Sequence, residues 1–310
     1  MSAARGFAPG TIGNVGPGLD VLGLAVTGPG DAVVAEATET PGVTIRDPGH
    51  PTLPADAHRH TAGIAAAEVL RRAGSDRGVA LRVEKGLPLG GGCGGSAASA
   101  VAAAVAVNAL IGAALPSSEL LLAGLAAEEA VSGRHLDNVA PALLGGLVLV
   151  LGLEPPDVVP LAVPAGLRVV LAEPRQVLRT ADARAVLPRE VPLATAMAQA
   201  ARVAALVTAL ARGDDALLAR ALDDRIAEPA RAPLLPGFLE ARRAAREAGA
   251  LGASLSGSGP TAFALAPDEA TAGRVAAAMA AAYRARGVEC RTRVERVDER
   301  GARVEQSALR

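Results

Sequence analysis

A glycine-rich segment at residues 86–99, GLPLGGGCGGSAAS, precedes a long alanine-rich helical pattern. Glycines let the backbone adopt positive φ and approach a ligand closely, and the start of the next helix presents free N–H groups and a positive dipole end. The segment therefore predicts a phosphate-binding loop or, alternatively, a flexible turn. It is not a Walker A loop, because the only lysine, Lys85, precedes the glycines. A Rossmann loop is disfavoured because the next carboxylate after Ser96 is Glu119.

Polar side chains also flank two other segments. Asn14 and Asp20 lie on either side of a Gly-Pro-Gly turn, where they act as local caps or hold a small polar ligand. Glu128 and Glu129 end a predicted helix, a position where carboxylates are usually solvated. A hydroxyl from the glycine loop and one of these glutamates would, however, supply the oxygen ligands that Mg²⁺ takes beside nucleotide phosphates.

The second half of the chain contains two candidate anion-binding arginines. Thr180 and Arg184 are spaced i, i+4, and Arg231 follows in AEPARAPLLPGF. Arginine binds carboxylates bidentately, although these side chains would also suit an ordinary surface. Gly257 begins a Gly-Ser-Gly turn that predicts a hairpin or a close approach of backbone to ligand. His135 is interpreted as a hydrogen-bonded structural residue.

Composition narrows the class of partner. The chain has 310 residues, is 50% hydrophobic, has a net charge of −1 and contains only three Phe and one Tyr as aromatic residues. These values argue against nucleic-acid and membrane partners and favour a small molecule. Cys93 and Cys290 lack disulfide-framework or metal-ligand spacing. No apolar signal segment is recognised, so the expected location is the cytoplasm.

Apolar periodicity predicts an α+β protein in two parts. A segment rich in proline and glycine at 152–166 marks the predicted boundary between units 1–160 and 161–310, and the polar C-terminus is expected to fray. The predicted strands are Val21–Val26, Ala32–Ala37, Val43–Ile45, Val79–Val83, Gly146–Leu151, Val169–Ala172, Thr261–Ala266 and Glu289–Val297. The predicted helices are Thr61–Arg72, Ser96–Ile111, Ser117–Val131, Ala194–Ala211, Asp214–Asp224, Gly237–Ala248 and Glu269–Arg286.

Three segments in order, PGTIGNVGPGLD, PLGGGCGGSAAS and GASLSGSGPT, resemble the three motifs of the GHMP kinase family. SGRHLDNVAPALLGG, TADARAVLP and IAEPARAPLLPGF are similar to segments of the family members that phosphorylate L-homoserine. The resemblance runs from about Pro9 to the last helix. It implies an N-terminal ATP-binding domain like ribosomal protein S5 domain 2, a ferredoxin-like C-terminal domain, and a site between them.

The resemblance also implies an activity, namely phosphorylation of the L-homoserine hydroxyl by ATP with Mg²⁺ in threonine biosynthesis, by a homodimer. By the same resemblance the ATP-binding residues are Pro88, Leu89, Gly90, Gly91, Gly92, Cys93, Gly94, Gly95, Ser96 and Ala97. The metal ligands would be Ser96 and Glu128, with Glu129 left open. The substrate-binding residues would be Asn14, Asp20, Asp137, Asn138, Thr180, Arg184, Arg231 and Gly257. Catalysis is assigned to Asn138, Asp137 and Arg184, and the use of a general base is left open.

The sequence departs from the family at several positions. Cys93 and Gly95 stand where the family loop usually has leucine and serine, so one phosphate-contacting hydroxyl is missing, and His60 replaces a frequent asparagine near the adenine loop. Two alternatives remain, a GHMP kinase for a sugar or isoprenoid alcohol and a non-catalytic binding protein of the same fold. The arginines argue against an uncharged alcohol. The second alternative is disfavoured by the joint presence of Ser96, Glu128, Asp137 and Asn138.

Overall fold

Across residues 3–305, the part of the chain that the computed structural model describes, two β-sheets of seven and four strands organise the fold. The first sheet contains β1 (Ala3–Gly13), β2 (Leu22–Thr38), β3 (Gly42–Asp47), β4 (Gly78–Glu84), β5 (Leu147–Leu153), β6 (Pro156–Leu161) and β11 (Arg303–Glu305). The second contains β7 (Arg168–Pro174), β8 (Gly252–Leu255), β9 (Ala262–Ala266) and β10 (Cys290–Glu295).

Ten α-helices and one short 3-10 helix lie within the described residues. Those of the first half are α1 (Thr61–Arg72), α2 (Gly95–Ile111), α3 (Ser117–Glu129) and α4 (Val139–Leu144). The second half has α5 (Thr180–Ala185), α6 (Leu193–Arg212), α7 (Asp215–Ala221), α8 (Ala227–Arg231), the 3-10 turn Ala232–Leu234, α9 (Phe238–Glu247) and α10 (Glu269–Ala285).

The first sheet is built around the long strand β2, which pairs antiparallel with β1, β4 and β5, whereas β3 runs parallel to β4. Helix α2 packs against this sheet through small side chains, and most of its residues are fully buried alanines and valines. A Cβ on Gly6 of β1 would overlap the carbonyl oxygen of Ala102 in α2. The helix therefore approaches the sheet closely only because both surfaces lack large side chains.

The second sheet has the strand order β10-β7-β9-β8 with all neighbours antiparallel, which is the ferredoxin-like order expected from the resemblance. Helices α9 and α10 cover one face through Phe238, Met279 and Tyr283. The other face shares an apolar core with the first sheet, in which Ile12 and Phe263 are both fully buried. The two sheets are thus packed into one body with a common core.

Several local predictions were wrong. β1 was not predicted, β2 is one continuous strand where two were expected, and β6 lies inside the segment expected to be irregular. The C-terminal region does not fray up to Glu305, because β11 pairs with β1; residues 306–310 lie outside the described part. The division at residues 160 and 161 stays a prediction, although β11 adds a C-terminal segment to the first sheet.

One helix in the described part of the chain, α6, is long and apolar enough to suit a membrane span. It also packs through Leu206, Ala209 and Leu210 into the core shared by the two sheets. Packing within the protein therefore explains part of the apolar character of α6.

Candidate active site

A cavity of about 360 Å³ is lined by residues from both halves of the chain. All predicted substrate and metal residues line it, namely Asn14, Asp20, Ser96, Glu128, Asp137, Asn138, Thr180, Arg184, Arg231 and Gly257. They reach it from the turn after β1, the start of α2, the end of α3, the segment before α4, α5, α8 and the turn after β8. Chain folding therefore gathers the separate motifs around one space.

The glycine loop forms one wall and is held from two sides. Ser256 Oγ donates to Gly92 O at 2.6 Å, and the backbone N–H of Thr11 donates to Cys93 O at 3.1 Å. Gly92 has φ +79°, and a Cβ there would lie 2.7 Å from the carbonyl oxygen of Gly259. Only glycine fits such a position, so the loop shape depends on its composition.

The loop leads directly into the N-terminus of α2. The first turn of this helix contains no acidic residue, and no side chain in the described chain caps it. Its first-turn N–H groups and its dipole are thereby left for an anion at the cavity, which Gly95 and Ser96 line.

Lys85, whose role sequence reasoning missed, lies in an ion pair beside the loop. Its ammonium group pairs with the fully buried Asp31 and donates to Gly95 O and to Ser99 Oγ, each at 3.0 Å. Asp31 also accepts from the backbone N–H of Leu87 at 3.1 Å. The chain's single lysine thus joins β2, the glycine loop and α2 at the edge of the cavity.

Two of the ten predicted ATP-binding residues do not line the cavity. The side chains of Cys93 and Ala97 are buried in the first hydrophobic core, so neither offers a side chain to a ligand. Burial raises the pKa of the Cys93 thiol to about 11, which keeps it protonated near neutral pH. Cys93 therefore stands in the core where the family usually has leucine, which is also an apolar side chain. Its neighbours Gly92 and Gly94 line the cavity instead.

Glu128 lies at the wall between α3 and the glycine loop, and it is 3% exposed. Burial raises the pKa of its carboxyl, and the neighbouring Ser132 and Ser96 hydroxyls partly offset this effect. Its Oε2 accepts from Ser132 Oγ at 2.6 Å, whereas Oε1 is buried without a hydrogen-bond partner in the described structure. Glu129, the alternative, is exposed and lies 3.5 Å from Arg134. Geometry therefore favours Glu128 as the glutamate that faces the cavity.

Asp137 and Asn138 precede α4 and are held by a polar network. Asp137 Oδ2 accepts from the backbone N–H of Asn14 at 3.1 Å, and its Oδ1 accepts from Asn138 Nδ2 at 3.3 Å. Thr11 Oγ1 in turn donates to Asn138 Oδ1 at 2.8 Å. The amide of Asn138 is therefore fixed in orientation, with a contribution from Thr11 that no local motif indicated.

His135, which the sequence analysis interpreted as a structural residue, lines the cavity. Burial would lower its pKa, but the Asp137 carboxylate, 3.3 Å from Nδ1, outweighs burial and raises the pKa. Its Nε2 lies 3.2 Å from the carbonyl oxygen of Ser132. The imidazole is thus hydrogen-bonded through Nε2, whereas Nδ1 lies at ion-pair distance from Asp137 without a hydrogen bond in the described structure.

Arg184 and Asp20 form a bidentate ion pair, with Nη2–Oδ1 at 2.6 Å and Nη1–Oδ2 at 2.9 Å. Burial alone would raise the pKa of Asp20, yet the guanidinium outweighs it and holds that pKa below its ordinary value. Asp20 and Arg184, which the resemblance assigns to different ends of the substrate, are thus paired with each other in the described structure. Arg184 Nε is buried without a partner in the described structure, so one donor of this side chain is still unused.

Arg231 of α8 is 2% exposed and lies against backbone. Its Nη1 donates to Gly257 O at 3.0 Å and its Nε to Ala183 O at 3.2 Å. Asn14 Nδ2 donates to the same Gly257 carbonyl at 2.9 Å. A buried guanidinium fixed in this way presents its remaining N–H groups in a defined direction, which suits recognition of a carboxylate.

His60 also lines the cavity, together with Leu53 and Pro54. Its Nδ1 accepts from the backbone N–H of Ala62 at 3.1 Å and caps α1. Burial is the main cause that lowers the pKa of His60, so the neutral ring is favoured. The imidazole thus acts as a helix cap in the position where the family often has asparagine.

Family models match both halves of the chain. The GHMP kinases N terminal domain matches residues 60–146, and the GHMP kinases C terminal domain matches residues 206–285. Together they cover more than half of the sequence. The predicted family and fold class are thereby confirmed.

The chain is 41% identical over 296 residues to homoserine kinase of Chlorobium phaeobacteroides, covering 91% of this chain and 92% of that one. It is 42% identical over 324 residues to homoserine kinase of Arabidopsis thaliana, covering 99% of this chain and 86% of that one. The crystal structure of homoserine kinase from Cytophaga hutchinsonii superposes with a TM-score of 0.94 at 40% identity, covering 98% of each chain. The chain belongs to the GHMP kinase family, among its homoserine kinases.

Proposed function

We propose that the protein transfers the γ-phosphoryl group of ATP to the side-chain hydroxyl of L-homoserine, giving O-phospho-L-homoserine and ADP. The observation that carries this proposal is one cavity that joins a glycine loop at a helix N-terminus with a buried arginine and an Asp–Arg pair. The homoserine kinases to which the chain is similar support the same substrate.

The glycine loop from Pro88 to Ser96 would bind the ATP phosphates. Its support is the N-terminus of α2, which combines unpaired N–H groups with the positive dipole end. Lys85, whose charge is balanced by Asp31, donates to the Gly95 carbonyl and so holds the loop in place. Ala97 would contribute only its backbone, and Cys93 would support the loop from the core.

The residues at the end of α3 fit a magnesium ion. Mg²⁺ prefers oxygen ligands, and Glu128 Oε1 is a buried oxygen without a partner in the described chain, with the Ser96 hydroxyl beside this carboxylate. Ser96 and Glu128 would therefore hold the ion. When bound, Mg²⁺ neutralises charge on the phosphates. Ser132 keeps the carboxylate oriented through its 2.6 Å hydrogen bond.

The acceptor amino acid is a zwitterion, and the cavity offers both charges. Arg231 would bind the carboxylate together with the free Nε of Arg184, and Asp20 would face the ammonium group. Thr180, Asn14 and Gly257 would complete the contacts at the same wall, all of them lining the cavity.

Asn138 would orient the acceptor hydroxyl, since Thr11 and Asp137 fix its amide. Asp137 would position Asn14 and Asn138, because its two oxygens already accept from both of them. Arg184 would neutralise developing charge near the acceptor. Phosphoryl transfer needs mainly such positioning and charge neutralisation. The hydroxyl proton can pass to an oxygen of the transferred phosphoryl group, so no dedicated base is required.

The family resemblance also leads us to propose a homodimer in the cytoplasm. Sedimentation equilibrium of the purified protein measures its oligomeric state directly, and a monomer at assay concentration would contradict the proposed homodimer.

A coupled assay of ADP release tests the activity. Homoserine, mevalonate, galactose and no acceptor are compared at saturating MgATP. We expect release only with homoserine. Release with galactose or mevalonate instead would establish a different GHMP kinase, and no release with any acceptor, despite measurable ADP binding, would favour a binding protein.

A further inference from the structure

A buried amide bridges two segments that carry acceptor-site residues. Gln199 of α6 is 8% exposed, and its Nε2 donates to Pro17 O at 2.7 Å and to Asp224 Oδ1 at 2.9 Å. Its Oε1 accepts from the backbone N–H of Arg225 at 2.9 Å. Exchanging the amide nitrogen and oxygen would place like groups against each other at all three contacts. The orientation of Gln199 is therefore fixed.

The first segment is the turn between Asn14 and Asp20, which contains Pro17. Asn14, Val15 and Asp20 all have positive φ, at 68°, 46° and 60°. Asn and Asp adopt this region more readily than most residues, but it is strongly unfavourable for the β-branched Val15 and persists there only where surrounding contacts fix it. The bond from Gln199 to Pro17 O is one of these contacts, and it comes from the other half of the chain.

The second segment is the start of α8. Asp224 accepts from the backbone N–H groups of Ile226 at 2.8 Å and of Ala227 at 3.1 Å through Oδ1, and from that of Glu228 at 2.8 Å through Oδ2. It thereby caps the short helix that ends with Arg231. Because Gln199 donates to the same carboxylate, it connects this helix to the turn that carries Asp20.

We propose that Gln199 is a positioning residue for the amino-acid acceptor, which sets the separation between Asp20 and Arg231. This inference rests on the proposed function, in which those two side chains meet the ammonium and carboxylate groups. Gln199 is not among the residues lining the cavity within 3–305, so it acts through Pro17 and Asp224. Its three hydrogen bonds do not involve the glycine loop, so ATP binding should not depend on it.

Gln199→Met tests this by removing the hydrogen bonds while keeping the length of the side chain. Loss of the link between the two segments should raise KM for homoserine about tenfold, the order expected for one net hydrogen bond. KM for ATP should stay within about twofold, because the glycine loop keeps its own contacts. Far-UV circular dichroism checks that the fold persists.

Gln199→Glu distinguishes a hydrogen-bonding role of this side chain from a role in packing alone, because only the former predicts a dependence on pH. The new carboxyl lies against the Asp224 carboxylate, and burial together with this like charge raises its pKa, so protonation restores a donor as the pH falls. Among the other charged groups nearby, Arg202, Arg225 and Arg242 all pair with Asp223, and Arg242 also pairs with Glu228. The ratio of KM for homoserine between variant and wild type should therefore fall by about tenfold from about pH 8.5 to about pH 6.

Gln176→Met and Gln176→Glu serve as matched controls, because Gln176 donates its amide to Pro236 O and is not among the residues that line the cavity. Their KM values should equal those of the wild type. If Gln199→Met does not fold, Gln199→Glu at low pH carries the test. Unchanged KM for homoserine in the Gln199 variants, a pH-independent ratio, or a parallel rise in KM for ATP would overturn the proposal. Failure of the proposed function is distinct, because the wild type itself would then show no homoserine-dependent turnover, and the Gln199 proposal would fall with it.

Discussion

Glu128→Gln is expected to raise the free energy of unfolding of the protein while lowering its turnover. In the free protein, Glu128 is a fully buried carboxylate whose Oε1 has no hydrogen-bond partner in the described structure. The amide removes the buried charge and keeps an oxygen for Ser132 Oγ. Because the amide is neutral, the variant avoids the cost of burying a charge, and its free energy of unfolding should rise by about 1–3 kcal/mol.

The gain should depend on pH. Burial raises the folded-state pKa of Glu128 above its unfolded value of about 4.3. A raised acid pKa contributes stability that is present below the unfolded pKa and is lost as the pH rises through the folded pKa. The variant should therefore exceed the wild type in stability near neutral pH, and the difference should shrink as the pH falls.

Urea denaturation with and without Mg²⁺ and ADP measures both effects. At about 100 times Kd, MgADP should stabilise the wild type by about 2.7 kcal/mol and the variant much less. Turnover of the variant should fall by more than about a hundredfold, as expected when a charged metal ligand is lost. Glu129→Gln is the matched control, because Glu129 is exposed, and it should change neither quantity. A variant less stable than the wild type without Mg²⁺, or one with normal Mg²⁺-dependent turnover, would refute the reasoning.

Three further substitutions test other parts of the site. Gly95→Ser should fold normally and lower KM for ATP by up to about tenfold, because a Cβ there meets nothing closer than Lys85 Nζ at 3.4 Å; Gly94→Ser, which would overlap Thr11, should instead lose nucleotide binding in calorimetry. Arg231→Ala should raise KM for homoserine by about ten- to a hundredfold with little change for ATP; a variant that still prefers homoserine over its methyl ester as strongly as the wild type would contradict the carboxylate role. Lys85→Met should cost about 3–5 kcal/mol in urea denaturation because Asp31 would be left buried and unpaired; a loss below about 1 kcal/mol would show that the pair is not needed.

Regular periodicity made much of the fold predictable, and β1 shows where it did not. Helix α1 was predicted at its observed bounds, and α2 was predicted to within one residue at its start. β1 contains Gly6, Pro9 and Gly10, which normally disfavour a strand. Gly6 is required there because α2 lies against it, so tertiary packing overrode the local preference.

Site residues that belong to sequence motifs were predictable, whereas residues that reach the site through contacts between distant strands and segments were not. Asp137, Asn138 and Arg231 belong to recognisable segments, and all three line the cavity. Thr11 and Asp31 act through contacts with residues more than 50 positions away, so no local spacing indicates them. Lys85 offered a compositional signal as the only lysine, but its pairing with Asp31 depends on the register of β2 and β4.

The return of the chain to its first sheet fixes an order for folding during synthesis. β1 pairs with β2 on one side and with β11 on the other, where Arg5 faces Glu305 and the Arg303 guanidinium lies 4.1 Å from the Phe7 ring centre. Until the ribosome has made Arg303–Glu305, one edge of β1 has no neighbour within the sheet, and such an edge can pair with another chain. Gly6, Pro9 and the charge of Arg5 make this edge a poor template while it waits. The first strand of this sheet in chain order is thus the last to gain both of its neighbours.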